Sequence, residues 1–204
     1  WNRYNYVLNN PLKFSDPLGL FEYLPGTSGD DQKRIKKAYD QLVKARDKYK
    51  VGSKQYNAIN DSLNALGAPG VKNNVLVGVD NNLKTPGETF SAQEYSNGNV
   101  SGSQSVVMLK LSSFKNDDQG NAQLAGALGH EGTHVADAQA EAGKLIGTSM
   151  AQMNSLADSG GIMSHAISEV HAYRVSAYIA AAITPSNISN SSFSGYEIWN
   201  RGWK

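Results

Sequence analysis

The chain has four histidines in 204 residues. Two of them, His130 and His134, stand one helical turn apart in the stretch "LAGALGHEGTHVADAQA", with a glutamate between them. On a helix, residues four apart share a face, so both imidazoles can grip one metal ion. Glu131 is rotated by about 100° from His130. It therefore points beside such a metal, where it can take a proton from a water that the metal activates. In a chain this poor in histidine, the His-Glu-x-x-His spacing arises by chance at a rate on the order of 1% or less. The setting is also helical: Leu124, Leu128 and Val135 are apolar and Ala fills most other positions. Gly126, Gly129 and Gly132 are poor helix residues, and three in one segment predict close approach by another backbone or by substrate.

A catalytic zinc takes a third protein ligand and leaves one position for water. The continuation that would place this ligand at position 140 meets Ala140. Asp137 shares the histidine face, but it is too close in sequence to complete the geometry and reads as a partner that orients an imidazole. The later segment "IMSHAISEVHAYRVSAYIAAA" offers better candidates. There Glu169 stands on a face of small and apolar residues, a costly place for a carboxylate unless it is paired or metal-bound. Glu169 is the expected third ligand and His165, one turn earlier, is the alternative. His171 lies about 200° from Glu169 and reads as a partly exposed surface histidine. Tyr173, one turn after Glu169, is either a hydrogen-bond donor to the reacting group or a core tyrosine.

These residues need elements to hold them. Hydrophobic residues make up 40% of the chain, and 19 Lys and Arg balance 18 Asp and Glu. That is a globular composition, without the charge excess that favours nucleic acid or an anionic membrane. No apolar run approaches the roughly 20 residues of a membrane span. The absence of cysteine excludes disulfides, thiolate metal sites and a cysteine nucleophile. A first helix is predicted over "DDQKRIKKAYDQLVKARDKY", with Ile35, Tyr39, Leu42, Ala45 and Tyr49 on one face. A second follows a Ser53 cap, with Tyr56, Ile59, Leu63 and Leu66 inward and Gly67 at its end. The strand signals are "NVLVGV", "ETFSAQEY" and "SVVMLKLSS", with a turn at Asn97–Asn99. The last of these strands is expected to offer its edge to an extended substrate. Helical patterning returns over about 121–143 and 164–183. Tyr196, Trp199 and Trp203 read as packing anchors.

Two resemblances add to this reading. "RYNYVLNNPLKFSDPLGL", Arg3 to Leu20, resembles the end of the core domain of RHS-repeat proteins. In that family the core forms a β-shell around a C-terminal toxin, and self-cleavage after the Asp-Pro-x-Gly-Leu motif releases it. The resemblance implies that residues 1–20 are an RHS-core remnant, that Asp16 belongs to the self-cleavage site, and that a toxin domain spans 21–204. The second resemblance is to gluzincin metallopeptidases, in which a glutamate on a following helix completes the His-Glu-x-x-His site. "ExxAYRVSA", Glu169 to Ala177, is similar to the second motif of metallopeptidase toxin tails attached to RHS and related proteins.

The predicted fold is therefore α+β. A mainly helical zincin-like domain carries a small antiparallel sheet ahead of the His-Glu-x-x-His helix and follows an extended RHS-core remnant. The expected function is a zinc metallopeptidase toxin, with Zn2+ on His130, His134 and Glu169, and with Glu131 and Tyr173 catalytic. The resemblance implies a secreted effector delivered into a target cell, sheltered by the RHS shell before release and countered by a cognate immunity protein. Its substrates would be peptides or proteins. The competing readings are a nuclease tail, which the neutral charge disfavours, and a zinc-stabilised binding module without catalysis.

Overall fold

The computed structural model describes residues 21–67, 74–158 and 163–183. The 1–20 segment with Asp16, and the tail aromatics Tyr196, Trp199 and Trp203, lie outside the described residues.

Helix α1, Gly29–Asp47, starts at Ser28, whose hydroxyl accepts the amide of Asp31. Asp30 and Asp31 in its first turn, and Lys44 and Arg46 in its last, complement the helix dipole. Its inner face buries Ile35, Ala38, Tyr39, Leu42 and Ala45. Helix α2, Lys54–Leu66, is capped by Ser53 and buries Ile59, Leu63 and Leu66. Gly67 ends it at φ 133°, a conformation that favours glycine. Both helices follow the predicted faces.

The sheet has four strands: β1 Glu22–Tyr23, β2 Val75–Val79, β3 Gly87–Ser96 and β4 Asn99–Leu109. Their order is β1-β2-β4-β3. Asn97 and Gly98 both take positive φ in the two-residue turn that joins β3 to β4, as a tight hairpin requires. The sheet is mixed and not antiparallel as expected, because β1–β2 and β2–β4 are parallel pairs. Alternating hydrophobicity reports which face a residue takes, not the direction of the neighbouring strand. The expected substrate edge also moves. The "SVVML" strand is interior, between β2 and β3, and among the described residues β3 is the long strand at the free edge.

Helix α3, Asp118–Leu145, carries the histidine pair and packs against α1, α2, α5, β3 and β4. Asp117 caps it by accepting the amide of Gly120 at 2.7 Å. Leu124, Leu128 and Val135 are fully buried, each contributing about 1.5–3 kcal/mol. A short helix α4, Met150–Asp158, follows; the sequence reading did not foresee it. Its signal is a capping box at the Ser149 hydroxyl and Gln152 side chain, each meeting the other's backbone amide. Helix α5, His165–Ile183, then buries Ala172, Val175 and Ile179 and lies along α3. No helix among the described residues is long and apolar enough to cross a membrane.

Candidate metal centre

Helices α3 and α5 bring together three of the predicted residues. His130 Nε2 and His134 Nε2 are 3.2 Å apart. Glu169 faces both, with Oε2 3.5 Å from His130 Nε2 and Oε1 3.3 Å from His134 Nε2. A tetrahedral zinc with ligands at about 2.0–2.1 Å has ligand–ligand edges of about 3.3–3.4 Å. The donor set, two imidazole nitrogens and one carboxylate, and its spacing both fit a metal ion. Burial first, then the neighbouring His130, pushes the His134 pKa down to about 4, so this ring is neutral, the form that binds metal. Contact with His130 is the largest cause that holds Glu169 below the usual carboxylate range, against an opposing effect of burial.

The other ring nitrogens are anchored by α5. Ser168 Oγ lies 2.8 Å from His134 Nδ1, and Ser176 Oγ lies 3.5 Å from His130 Nδ1. These hydroxyls occupy the role expected of Asp137. Asp137 instead meets His171 Nδ1 at 3.2 Å through both oxygens. Three residues beyond His134, Asp137 has already turned toward the part of α5 that carries His171. His171 is partly exposed, as expected, but paired. His165 reaches Glu169 Oε1 at 3.4 Å with a side chain 85% exposed, so it stands at the rim.

Glu131 is buried. Burial raises its pKa to about 7, while His130 and the Thr89 hydrogen bond pull the other way. Thr89 Oγ1, from β3, donates to Glu131 Oε2 at 2.8 Å. Tyr173 packs edge-on against His130, with ring centroids 4.9 Å apart. Burial and then the Glu169 carboxylate hold its phenol well above the usual range, so it is protonated at neutral pH. No family model matches the chain, and no curated protein or solved structure is significantly similar to it.

The centre opens into a cleft of about 640 Å³, walled by β3 residues such as Thr89 and Phe90 and by the start of α5. Of Gly126, Gly129 and Gly132, two explain how neighbours come so near. A Cβ on Gly129 would collide with Ile179, and one on Gly132 with Ser62 and Leu66. The close neighbours are core side chains of α2 and α5, not substrate. Around the missing Cβ of Gly126 no described residue lies within 4 Å. Gly87, Thr89, Ser168 and Ser176 escaped the sequence reading. Nothing local marks a strand threonine or a helix serine as the neighbour of a residue far along the chain.

Proposed function

We propose that the protein is a zinc metallopeptidase toxin, the tail of an RHS protein, that hydrolyses peptide bonds in a target cell. The observation that carries the reading is the convergence of His130, His134 and Glu169 at ligand–ligand spacing, with Glu131 buried beside them and no ligand itself. His130, His134 and Glu169 would hold the zinc. Bound there, zinc polarises a scissile carbonyl and lowers the pKa of water toward 7.

The remaining work falls to the chain's own groups. Glu131 accepts the proton of the attacking water and passes it to the leaving amine. Its raised pKa suits this exchange near neutral pH. Tyr173 donates a hydrogen bond to the oxyanion that develops on the scissile carbonyl, which its protonated phenol permits. The free edge of β3 pairs with an extended substrate backbone along the cleft. Residues 1–20 support the rest by their resemblance: self-cleavage near Leu20 that depends on Asp16, delivery as a secreted effector, and an immunity protein that covers the cleft.

The test is to incubate the zinc-loaded protein with target-cell lysate and sequence the new N-termini. Termini seen with the wild type and missing with Glu131→Gln support the reading. Identical termini in both samples would remove it.

A further inference from the structure

Helix α3 places Glu131 in the site, but a glutamate has three rotatable bonds and the helix does not fix its carboxylate. Two residues of β3, more than forty positions earlier in the chain, border that carboxylate. Thr89 Oγ1 donates to Oε2 at 2.8 Å and lies 3.3 Å from the Glu131 backbone carbonyl. Gly87 faces the other oxygen. A Cβ built there would stand 2.8 Å from Oε1, 2.9 Å from Cγ and 3.0 Å from Cδ. The space left by the missing side chain is the space that the Glu131 carboxylate fills.

We propose that Gly87 and Thr89 are positioning residues for the general base, which makes the edge strand a working part of the catalytic apparatus as well as a wall of the cleft. The inference rests on the peptidase reading above and names what that reading needs. Thr89 has one hydroxyl proton, and giving it to Oε2 fixes the rotation of the carboxylate, with Oε1 set against Gly87. Gly87 lets the carboxylate sit against the strand. Its backbone has no positive φ, so alanine is tolerated there apart from the contact with Glu131. That contact is with the far end of a flexible side chain. An added methyl group displaces the carboxylate and leaves the fold intact. A misplacement of about 1 Å at a reacting group costs up to about 100-fold in rate.

The variants are Thr89→Val, Thr89→Ser and Gly87→Ala. They are compared with the zinc-loaded wild type on a fluorogenic peptide built from a cleavage sequence found in the lysate. Thr89→Val should lower kcat about 10- to 100-fold with KM changed less than about twofold, and Thr89→Ser should recover kcat to within about threefold. Gly87→Ala should lower kcat in the same range at full zinc content and unchanged melting temperature. A crystal structure of metal-free Gly87→Ala gives a readout independent of activity: the Glu131 carboxylate should have left hydrogen-bond distance of Thr89. The proposal is overturned if Thr89→Val keeps wild-type kcat, if Thr89→Ser is as slow as Thr89→Val, or if the Thr89–Glu131 bond persists in Gly87→Ala. If the wild type itself cleaves no peptide, the peptidase reading has failed instead, and the crystal structure still decides whether these residues set the carboxylate.

Discussion

Ser168 and His134 meet across two helices, with Oγ 2.8 Å from Nδ1. The next residue on α5, Glu169, faces the opposite nitrogen of the same ring at 3.3 Å. One turn of α5 therefore sets the orientation of one ligand and supplies another. Ser168→Ala should weaken zinc affinity about 10- to 100-fold, the usual loss when the partner of a ligating histidine is removed. Competition with a chromophoric chelator measures it; an unchanged affinity would mean that packing alone orients the ring.

Glu131→Gln should abolish hydrolysis and toxicity while zinc and fold survive. Glutamine keeps the shape and the Thr89 contact but cannot accept the proton. Loss of a general base costs about 10²- to 10⁴-fold in rate. Zinc content and toxicity measured on the same sample decide it, and a toxic variant with normal zinc would show that the motif is not catalytic in this way.

Glu169→Ala should lose the metal, and His165→Ala should retain it. Glu169 faces both imidazoles, whereas the His165 side chain is 85% exposed at the rim. Elemental analysis after exhaustive dialysis distinguishes them, and the reverse pattern would make His165 the third ligand.

Gly129→Ala and Gly126→Ala should move stability in opposite directions, although both are glycine substitutions in one helix. At Gly129 the methyl group collides with the fully buried Ile179 and crowds Leu42. Such overpacking costs about 1–3 kcal/mol. At Gly126 no described residue lies within 4 Å, so alanine's helix propensity should add up to about 1 kcal/mol. Chemical denaturation of the two proteins measures both signs, and a destabilised Gly126→Ala would reveal a neighbour outside the described residues.

The parts of this fold that were legible in the sequence are those written in local pattern. The faces of α1 and α2, the Ser53 cap, the Asn97–Gly98 turn and the histidine spacing are each contained within a short stretch of chain. Glu169 was readable because a carboxylate among apolar neighbours needs an explanation. What was hidden depends on distant pairing. Strand direction is set by connections, so the mixed sheet and the edge position of β3 could not be read from alternation. Asp137 reads in the sequence as the partner of an imidazole on the His130/His134 face, while α5 brings His171 to it instead. The hydroxyls of Thr89, Ser168 and Ser176 have no sequence signature, since threonine in a strand and serine in a helix are ordinary. Helix α4 did carry a signal, the Ser149–Gln152 capping box, but its short length obscured it.

The free edge of β3 is also a hazard. A ten-residue strand whose outer edge is unpaired among the described residues invites a second copy of itself as readily as a substrate. Its own sequence argues against that union. Two copies meeting antiparallel about a two-fold axis at Ser91 would set Glu88 of one against Glu94 of the other, and like charges directly opposite each other destabilise a strand pair. Beyond Glu94 the register slips, so the flat run ends there. In that register the opposed carboxylates discourage self-pairing, and the irregularity after Glu94 shortens the flat stretch left for any other.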